Sequence, residues 1–151
     1  MATTKRRIQS KDITVRTEEL VAAEAGIYPG MLIELNSSGY VKKHATAGGR
    51  AEILIAMEDV LQGNTVATVY TSGGIVTCLL PKKGDEVNIL IEAGQDIAIG
   101  DELISAGNGT FKKASDLESG ESLSQVLFKA VEACDLTASG AANTLCSARV
   151  M

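Results

Sequence analysis

Short aliphatic stretches alternate with glycine-containing turns along most of the chain. Stretches such as "MLIEL", "EILIAM", "TVATVY", "IVTCLL" and "EVNILI" are rich in Ile, Val, Leu and Thr, and each spans five or six residues. Recurrent short strands bounded by turn residues are typical of all-β sandwiches and barrels. The pattern therefore predicts an all-β fold with little helix.

Helix competes with strand in two segments. Thr17 and the following "EELVAAEAG" provide an N-cap, good helix formers and a closing glycine over residues 17–26. Residues 122–135 offer a second alternative, a helix beginning at Ser122, although the repeat described next favours a strand that begins near Gln125. Sequence alone leaves strand and helix open over residues 122–135.

The chain contains an internal repeat. "GMLIELNSSGYVKK" at residues 30–43 aligns without a gap with "GDELISAGNGTFKK" at residues 100–113, at an offset of 70. "ILIAMED" (53–59) resembles "VLFKAVEA" (126–133) at an offset of 74, which one loop insertion explains. Two copies are too few for a solenoid, so we expect one pseudo-symmetric domain in which 30–43 and 100–113 form equivalent hairpins.

Candidate chemistry is sparse. The single histidine, His44, has no second histidine beside it, and no G-x-S-x-G, P-loop or G-x-G-x-x-G motif is present. Asp85 and Asp101 each follow a glycine, and we expect their carboxylates to accept hydrogen bonds from turn backbone. The sequence therefore predicts no catalytic, cofactor-binding or metal-binding residues, and it predicts that the chain is not an enzyme.

Composition disfavours a nucleic-acid or membrane partner and indicates a reducing compartment. A net charge of −5 and 3% aromatic residues disfavour nucleic-acid binding, which uses clustered cations and stacking faces. No stretch approaches the roughly 20 apolar residues of a membrane span. Cys78, Cys134 and Cys146 lack C-x-x-C spacing, and we expect buried thiols in a reducing compartment.

The repeated phrases resemble the capsid decoration (cement) proteins of tailed bacteriophages. The resemblance rests on "YPGMLIEL", "NSSGYVKK", "ILIAMED", "GDEVNILIEAGQDIAIGDELISAGNGTFKKA" and "VLFKAVEACDLTASGAANTLCSARV", and it covers residues 25–151. It implies a compact, pseudo-duplicated β-barrel or β-tulip-like domain with an extended N-terminal arm. It also implies a structural virion protein, made in the host cytoplasm, that binds the major capsid protein on the outer shell as a homotrimer. No cofactor, nucleic acid or membrane is implied.

The same comparison divides the chain into an N-terminal arm, residues 1–24, and a single β-rich domain, residues 25–151. A strand added to a sheet edge gains affinity from main-chain hydrogen bonds, and its alternate side chains select the partner. The basic cluster would steer the arm to an acidic shell, and we expect the free arm to be mobile. The predicted capsid-binding residues are Lys5, Arg6, Arg7, Ile8, Ile13 and Val15.

Two alternatives from other classes stay open. Gly-Asp-x-aliphatic turns are also found in lipoyl and biotinyl carrier domains, which present a modified lysine at a hairpin tip; Lys42, Lys43, Lys112 and Lys113 instead follow the turns. The other alternative is a small enzyme with a site at a subunit interface. His44 with Asp85 or Asp101 would be its candidate residues.

Overall fold

A computed structural model describes residues 5, 7–9 and 16–151 of the chain, and the regular secondary structure of this part is almost entirely β-strand. Its helical content is two single 3-10 turns, Val60–Gln62 and Ala114–Asp116. The prediction of an all-β fold is confirmed. The strands are β1 (Arg16–Val21), β2 (Ile33–Leu35), β3 (Val41–Lys43), β4 (Ile55–Ala56), β5 (Ile75–Leu80), β6 (Glu86–Ile91), β7 (Asp96–Ile97), β8 (Glu102–Ser105), β9 (Phe111–Lys113), β10 (Phe128–Ala130), β11 (Cys134–Asp135) and β12 (Thr144–Val150).

Five of these strands close a barrel in the order β10-β12-β6-β9-β8. Neighbouring strands in it are antiparallel except β6 and β9, which are parallel and pair only at Ile91 and Phe111. The remaining strands form a three-stranded sheet in the order β1-β5-β4 and the two-stranded pairs β2-β3 and β7-β11. The first half of β6 therefore has a free edge on the side that faces β9.

The two repeated phrases form hairpins with the same register. In the first hairpin Leu35 pairs with Val41, and in the second Ser105 pairs with Phe111, each at an offset of 70. The Gly30 amide donates to the Ala56 carbonyl, and the Gly100 amide donates to the Ala130 carbonyl. The prediction of equivalent hairpins is confirmed.

The equivalence extends beyond the hairpins. Sheet β1-β5-β4 corresponds to β6-β12-β10, because Ala56 pairs with Cys78 as Ala130 pairs with Ala148. The isolated parallel bridge between Ala22 and Val41 corresponds to the β6-β9 contact, and a second bridge joins Leu32 to Ile55. Residues 16–80 therefore form an irregular version of the barrel, the first unit, and residues 86–150 form the regular one, the second unit.

Each unit has its own apolar interior. The cluster inside the first unit includes Ile33, Val41, Val76 and Cys78. The larger cluster surrounds the edge-to-face pair Phe111–Phe128, whose ring centroids are 5.3 Å apart. It also takes in Leu32, Ile55 and Leu79 from the first unit.

Those three positions explain how the units join. The residues at the corresponding positions of the second unit are Glu102, Lys129 and Arg149, and all three are exposed. One face of the duplicated barrel is thus apolar and buried in the first unit, and charged and solvated in the second. Burial of that face contributes hydrophobic free energy that holds the two units in one body.

Strand replaces helix in both segments where helix competed. Residues 16–21 form β1 and pair along their full length with β5, from Arg16–Leu80 to Val21–Ile75. Within 122–135 the chain forms β10 and β11, as the repeat favours. The helix alternatives were wrong because sheet pairing outweighs local propensity. In the described part of the chain no helix is long and apolar enough to cross a membrane.

Candidate functional site

The predicted arm contributes a docked segment to the second unit. Ile8 is 0% exposed and belongs to the large core cluster, whereas Arg7 is exposed. Arg6, Ile13 and Val15 lie outside the described residues. We call residues 5 and 7–9 the N-terminal segment.

The main chain of the N-terminal segment adds to the free edge of β6. Gln9 forms an antiparallel bridge with Val87. The Asn88 amide donates to the Ile8 carbonyl at 2.6 Å, and the Asn88 side-chain amide donates to the Arg7 carbonyl at 2.7 Å. From the first unit, Glu58 Oε2 accepts the Ile8 amide at 3.1 Å. The segment is therefore held as an added strand by groups from both units.

An ion pair fixes the start of the segment. Lys5 Nζ lies 2.9 Å from Glu132 Oε2 and 3.2 Å from Ser147 Oγ. Ser147 Oγ donates in turn to Asn88 Oδ1 at 2.7 Å. Burial by itself raises the pKa of Glu132, but the hydrogen bonds from Lys5 and Ser147 outweigh it, so the pKa of this carboxyl lies below its ordinary value.

The expectation that the arm is mobile is wrong for Lys5 and Ile8, because both side chains contact the rest of the chain. Burial of Ile8 and pairing with an otherwise free strand edge offset the entropy cost of ordering these residues. The division at residue 24 and the capsid-binding role of the arm stay predictions. Two sequence signals could have indicated the docked segment: Asn88 interrupts an aliphatic strand, and Glu58 recurs as Glu132.

His44 is a buried residue that joins the two hairpins. Its Nδ1 lies 2.7 Å from Ser105 Oγ, its Nε2 lies 3.1 Å from the Arg50 carbonyl oxygen, and Glu34 Oε2 is 3.7 Å from Nε2. His44 is 2% exposed and Ser105 is 0% exposed. The residue types are those of a catalytic triad, but the hydroxyl is closed to substrate, so the geometry favours a structural link between β3 and β8.

Asp85 and Asp101 occupy matching turns, as the sequence predicts. Asp85 Oδ2 accepts the Lys82 amide at 2.8 Å, and Asp101 Oδ2 accepts the Ala98 amide at 2.8 Å. Gly84 and Gly100, which precede them, have φ of +91° and +93°. The turn hydrogen bonds lower the pKa of Asp101, with a further contribution from Lys113. The turn interpretation is confirmed, and neither carboxylate is among the hydrogen-bond partners of His44.

The four hairpin lysines lie away from the hairpin tips. Lys112 is 3% exposed and its ammonium lies 2.5 Å from Glu121, while Lys113 lies 3.0 Å from Asp101 and Lys42 lies 3.0 Å from Glu34. The tips, residues 36–40 and 106–110, contain no lysine. This arrangement is unlike that of a carrier domain.

The three cysteines are free thiols, and burial raises the pKa of each. Cys78 and Cys146 are buried, and burial raises the pKa of both thiols to about 12. Burial also raises the pKa of the partly buried Cys134. Within residues 5, 7–9 and 16–151 no group of three or more His, Cys, Asp or Glu side chains has the arrangement of a metal site.

Four exposed apolar side chains of the first unit lie on the connection between β4 and β5 or at its end. Leu61 is 89% exposed, Val60 47% and Val69 38%, and Ile75 at the start of β5 is 50% exposed. Four more residues separate Ala56 from its partner Cys78 than separate Ala130 from Ala148. This apolar loop, residues 57–75, is therefore a departure of the first unit from the repeat.

A shallow groove lies beside the same loop. Its lining residues include Tyr28 and Val66 from the first unit and Leu90 and Leu145 from the second, and its volume is about 370 Å³. Val66 and Ala67 of the apolar loop form part of the groove wall.

Comparison with known proteins adds a structural neighbour. No protein-family model matches the chain, and no curated protein sequence matches it. Among solved structures, the N base of the head fiber gp8.5 of bacteriophage phi29 matches with a TM-score of 0.55 and 14% sequence identity. The match covers 91% of this chain and 95% of that one. At this level of identity the match shows that the two chains share a fold over nearly their whole lengths.

Proposed function

We propose that this chain is a structural protein of a phage virion that binds the outer surface of the capsid and stabilises the shell as a decoration protein. The observation that carries the proposal is the near-complete match to the base of a phage head fiber. The sequence resemblance to decoration proteins points to the same setting. A role without catalysis also suits the buried state of the His44–Ser105 pair.

The partner in this proposal is the major capsid protein, with sister copies of the chain as a second contact in a homotrimer. The apolar loop supports such contacts, because single exposed aliphatic residues are common on monomers but grouped ones mark interaction sites. Arg7, which is exposed, remains available to an acidic shell. Arg6, Ile13 and Val15 complete the proposed arm contact, whereas Lys5 and Ile8 are engaged within the chain.

The test uses purified shells that lack the protein and measures occupancy and copy number by electron microscopy. Leu61→Asp should reduce occupancy about tenfold or more, because it places a charge in the proposed contact. Ile99→Asp is the matched control: Ile99 is 71% exposed but lies on a turn of the second unit, so occupancy should be unchanged.

The wild-type protein should appear as three copies around a threefold position. A single isolated copy per site would contradict the trimer. Equal occupancy by the Leu61→Asp and Ile99→Asp variants would remove the apolar loop from the contact, and no binding of the wild-type protein to any shell surface would contradict the proposed function itself.

A further inference from the structure

The free edge of β6 holds the N-terminal segment as an extended peptide. One side of the site is β6 itself, where β9 pairs only at Ile91. The Asn88 main-chain and side-chain amides both donate to carbonyl oxygens of the peptide. Glu58, from the first unit, accepts a hydrogen bond from the Ile8 amide, and Glu132 pairs with Lys5. We call this set of groups the β6 slot.

The slot is positioned by contacts that do not involve the N-terminal segment. β6 and β12 pair over six residues, from Glu86–Arg149 to Ile91–Thr144. Glu132 is held by the Ser147 amide at 3.0 Å, within the second unit. The barrel order β10-β12-β6-β9-β8 also closes without residues 5–9. The segment therefore behaves as a ligand of a site that the rest of the chain builds.

The slot also has unused acceptor capacity. Glu58 is 2% exposed, and its Oε1 atom has no hydrogen-bond partner among the described residues. A buried carboxylate oxygen without a partner costs free energy, so the chain's own segment does not satisfy the slot completely. Together, Glu58 and Glu132 give the slot two carboxylates for a ligand that carries basic residues around one aliphatic side chain.

We propose that the β6 slot is a binding site for an extended basic-aliphatic peptide, and that its occupant can be the N-terminal segment of a second copy of this chain. Exchange of a terminal segment keeps every contact of the slot and changes only which chain supplies it. Within one chain the local concentration of the segment favours the intramolecular state. At the high local density of an assembly, neighbouring copies compete for the slot.

The direct test supplies the segment as a separate peptide to the full chain. Ile8→Asp should expel the chain's own segment, because an unpaired carboxylate would otherwise be buried. A labelled peptide of residues 2–10, "ATTKRRIQS", should then bind this variant at least tenfold more tightly than it binds the wild-type chain. Fluorescence anisotropy measures both affinities.

Two controls define the site. A peptide that carries Ile8→Asp should bind at least tenfold more weakly, and adding Asn88→Ala to the Ile8→Asp chain should abolish binding of the original peptide. A folded Ile8→Asp chain that does not bind the peptide would overturn the proposal. So would equal binding of the two peptides.

A second measurement decides the case in which Ile8→Asp does not fold alone. The variant is then refolded with the peptide in excess: recovery of a cooperative thermal transition supports the slot, and no recovery overturns it. For exchange between chains, the Ile8→Asp chain is mixed with an Asn88→Ala chain, which retains the segment but has a defective slot. Sedimentation should show an association that neither variant forms alone, and its absence would contradict exchange.

Discussion

Two glycines at equivalent positions of the repeat differ in what surrounds them. Gly30 and Gly100 have φ of +92° and +93°, so alanine is strained by about 1–2 kcal/mol at either position. A Cβ on Gly30 would also overlap Leu145 Cδ2 and lie 3.1 Å from the Leu90 nitrogen, whereas the nearest atom at Gly100 is Lys129 Cε at 4.0 Å. Gly30 is therefore required both by its conformation and by the contact between the two units.

We predict that Gly30→Ala lowers the free energy of unfolding by about 1–3 kcal/mol more than Gly100→Ala does, since overpacking adds to the backbone strain. Urea denaturation of the two variants measures the difference. Equal losses would mean that Leu145 moves aside at little cost.

Sequence reasoning at the residue scale succeeded where the chemistry is local. Asp85 and Asp101 were predicted in turns because the preceding glycine and the carboxylate act within three residues. The burial of Ile8 could not be predicted from sequence, because its partners, Glu58 and Asn88, are distant along the chain. The same limit kept the link between His44 and Ser105 out of reach.

At the scale of elements, the N-terminal segment is held by a contact that depends on pH, the ion pair between Lys5 and Glu132, which lies between β10 and β11. The folded-state pKa of Glu132 is lowered, so its contribution is fully present above the ordinary pKa of about 4.3 and is lost as pH falls through the folded-state value. Protonation of Glu132 removes its charge interaction with Lys5.

We expect the start of the N-terminal segment to loosen as the pH falls through the lowered folded-state pKa of Glu132. Hydrogen exchange of the Ile8 amide across this range is the measurement. Glu132→Gln should show faster exchange at neutral pH and a weaker dependence on pH. An unchanged pH profile in that variant would place the titrating group elsewhere.

The repeat predicted elements better than local propensity did. It indicated the two hairpins and the strand at Phe128–Ala130, because a repeat carries information about tertiary contacts. The segment at 17–26 has good helix formers, and only the distant partner β5 explains why β1 forms there. Docking of Ile8 and Gln9 on β6 depends on a gap between β6 and β9 that no local pattern encodes.

At the scale of the whole molecule, duplication produced two units with different surfaces. The outer face of the first unit is apolar and buried, and it carries Leu32, Ile55 and Leu79. The corresponding face of the second unit is charged and exposed, and it carries Glu102, Lys129 and Arg149. A further copy of the protein is therefore not expected to stack on the second unit, because the charged face has no apolar area to bury. Side-by-side association through the apolar loop remains open to sister copies.

The first unit has an edge that corresponds to the β6 slot. β1 pairs with β5 along one edge. Its other edge faces β3, but the two strands contact each other only after β1 has ended, at the bridge between Ala22 and Val41. Among the described residues nothing else pairs with that edge. Arg16 and Glu19 on this strand are exposed, and Glu18 is partly exposed.

We expect this edge to affect the aggregation of the protein in concentrated solutions. Charges on an open strand repel a second sheet, and their loss turns the edge into a template for fibrillar growth. Replacing both Glu18 and Glu19 with Thr should therefore produce light scattering that rises with concentration and thioflavin binding, while a Glu102→Thr control stays clear because β8 is paired on both sides. A clear solution of the double variant would show that other features protect the edge. The expected result would mean that Glu18 and Glu19 keep the concentrated protein from aggregating.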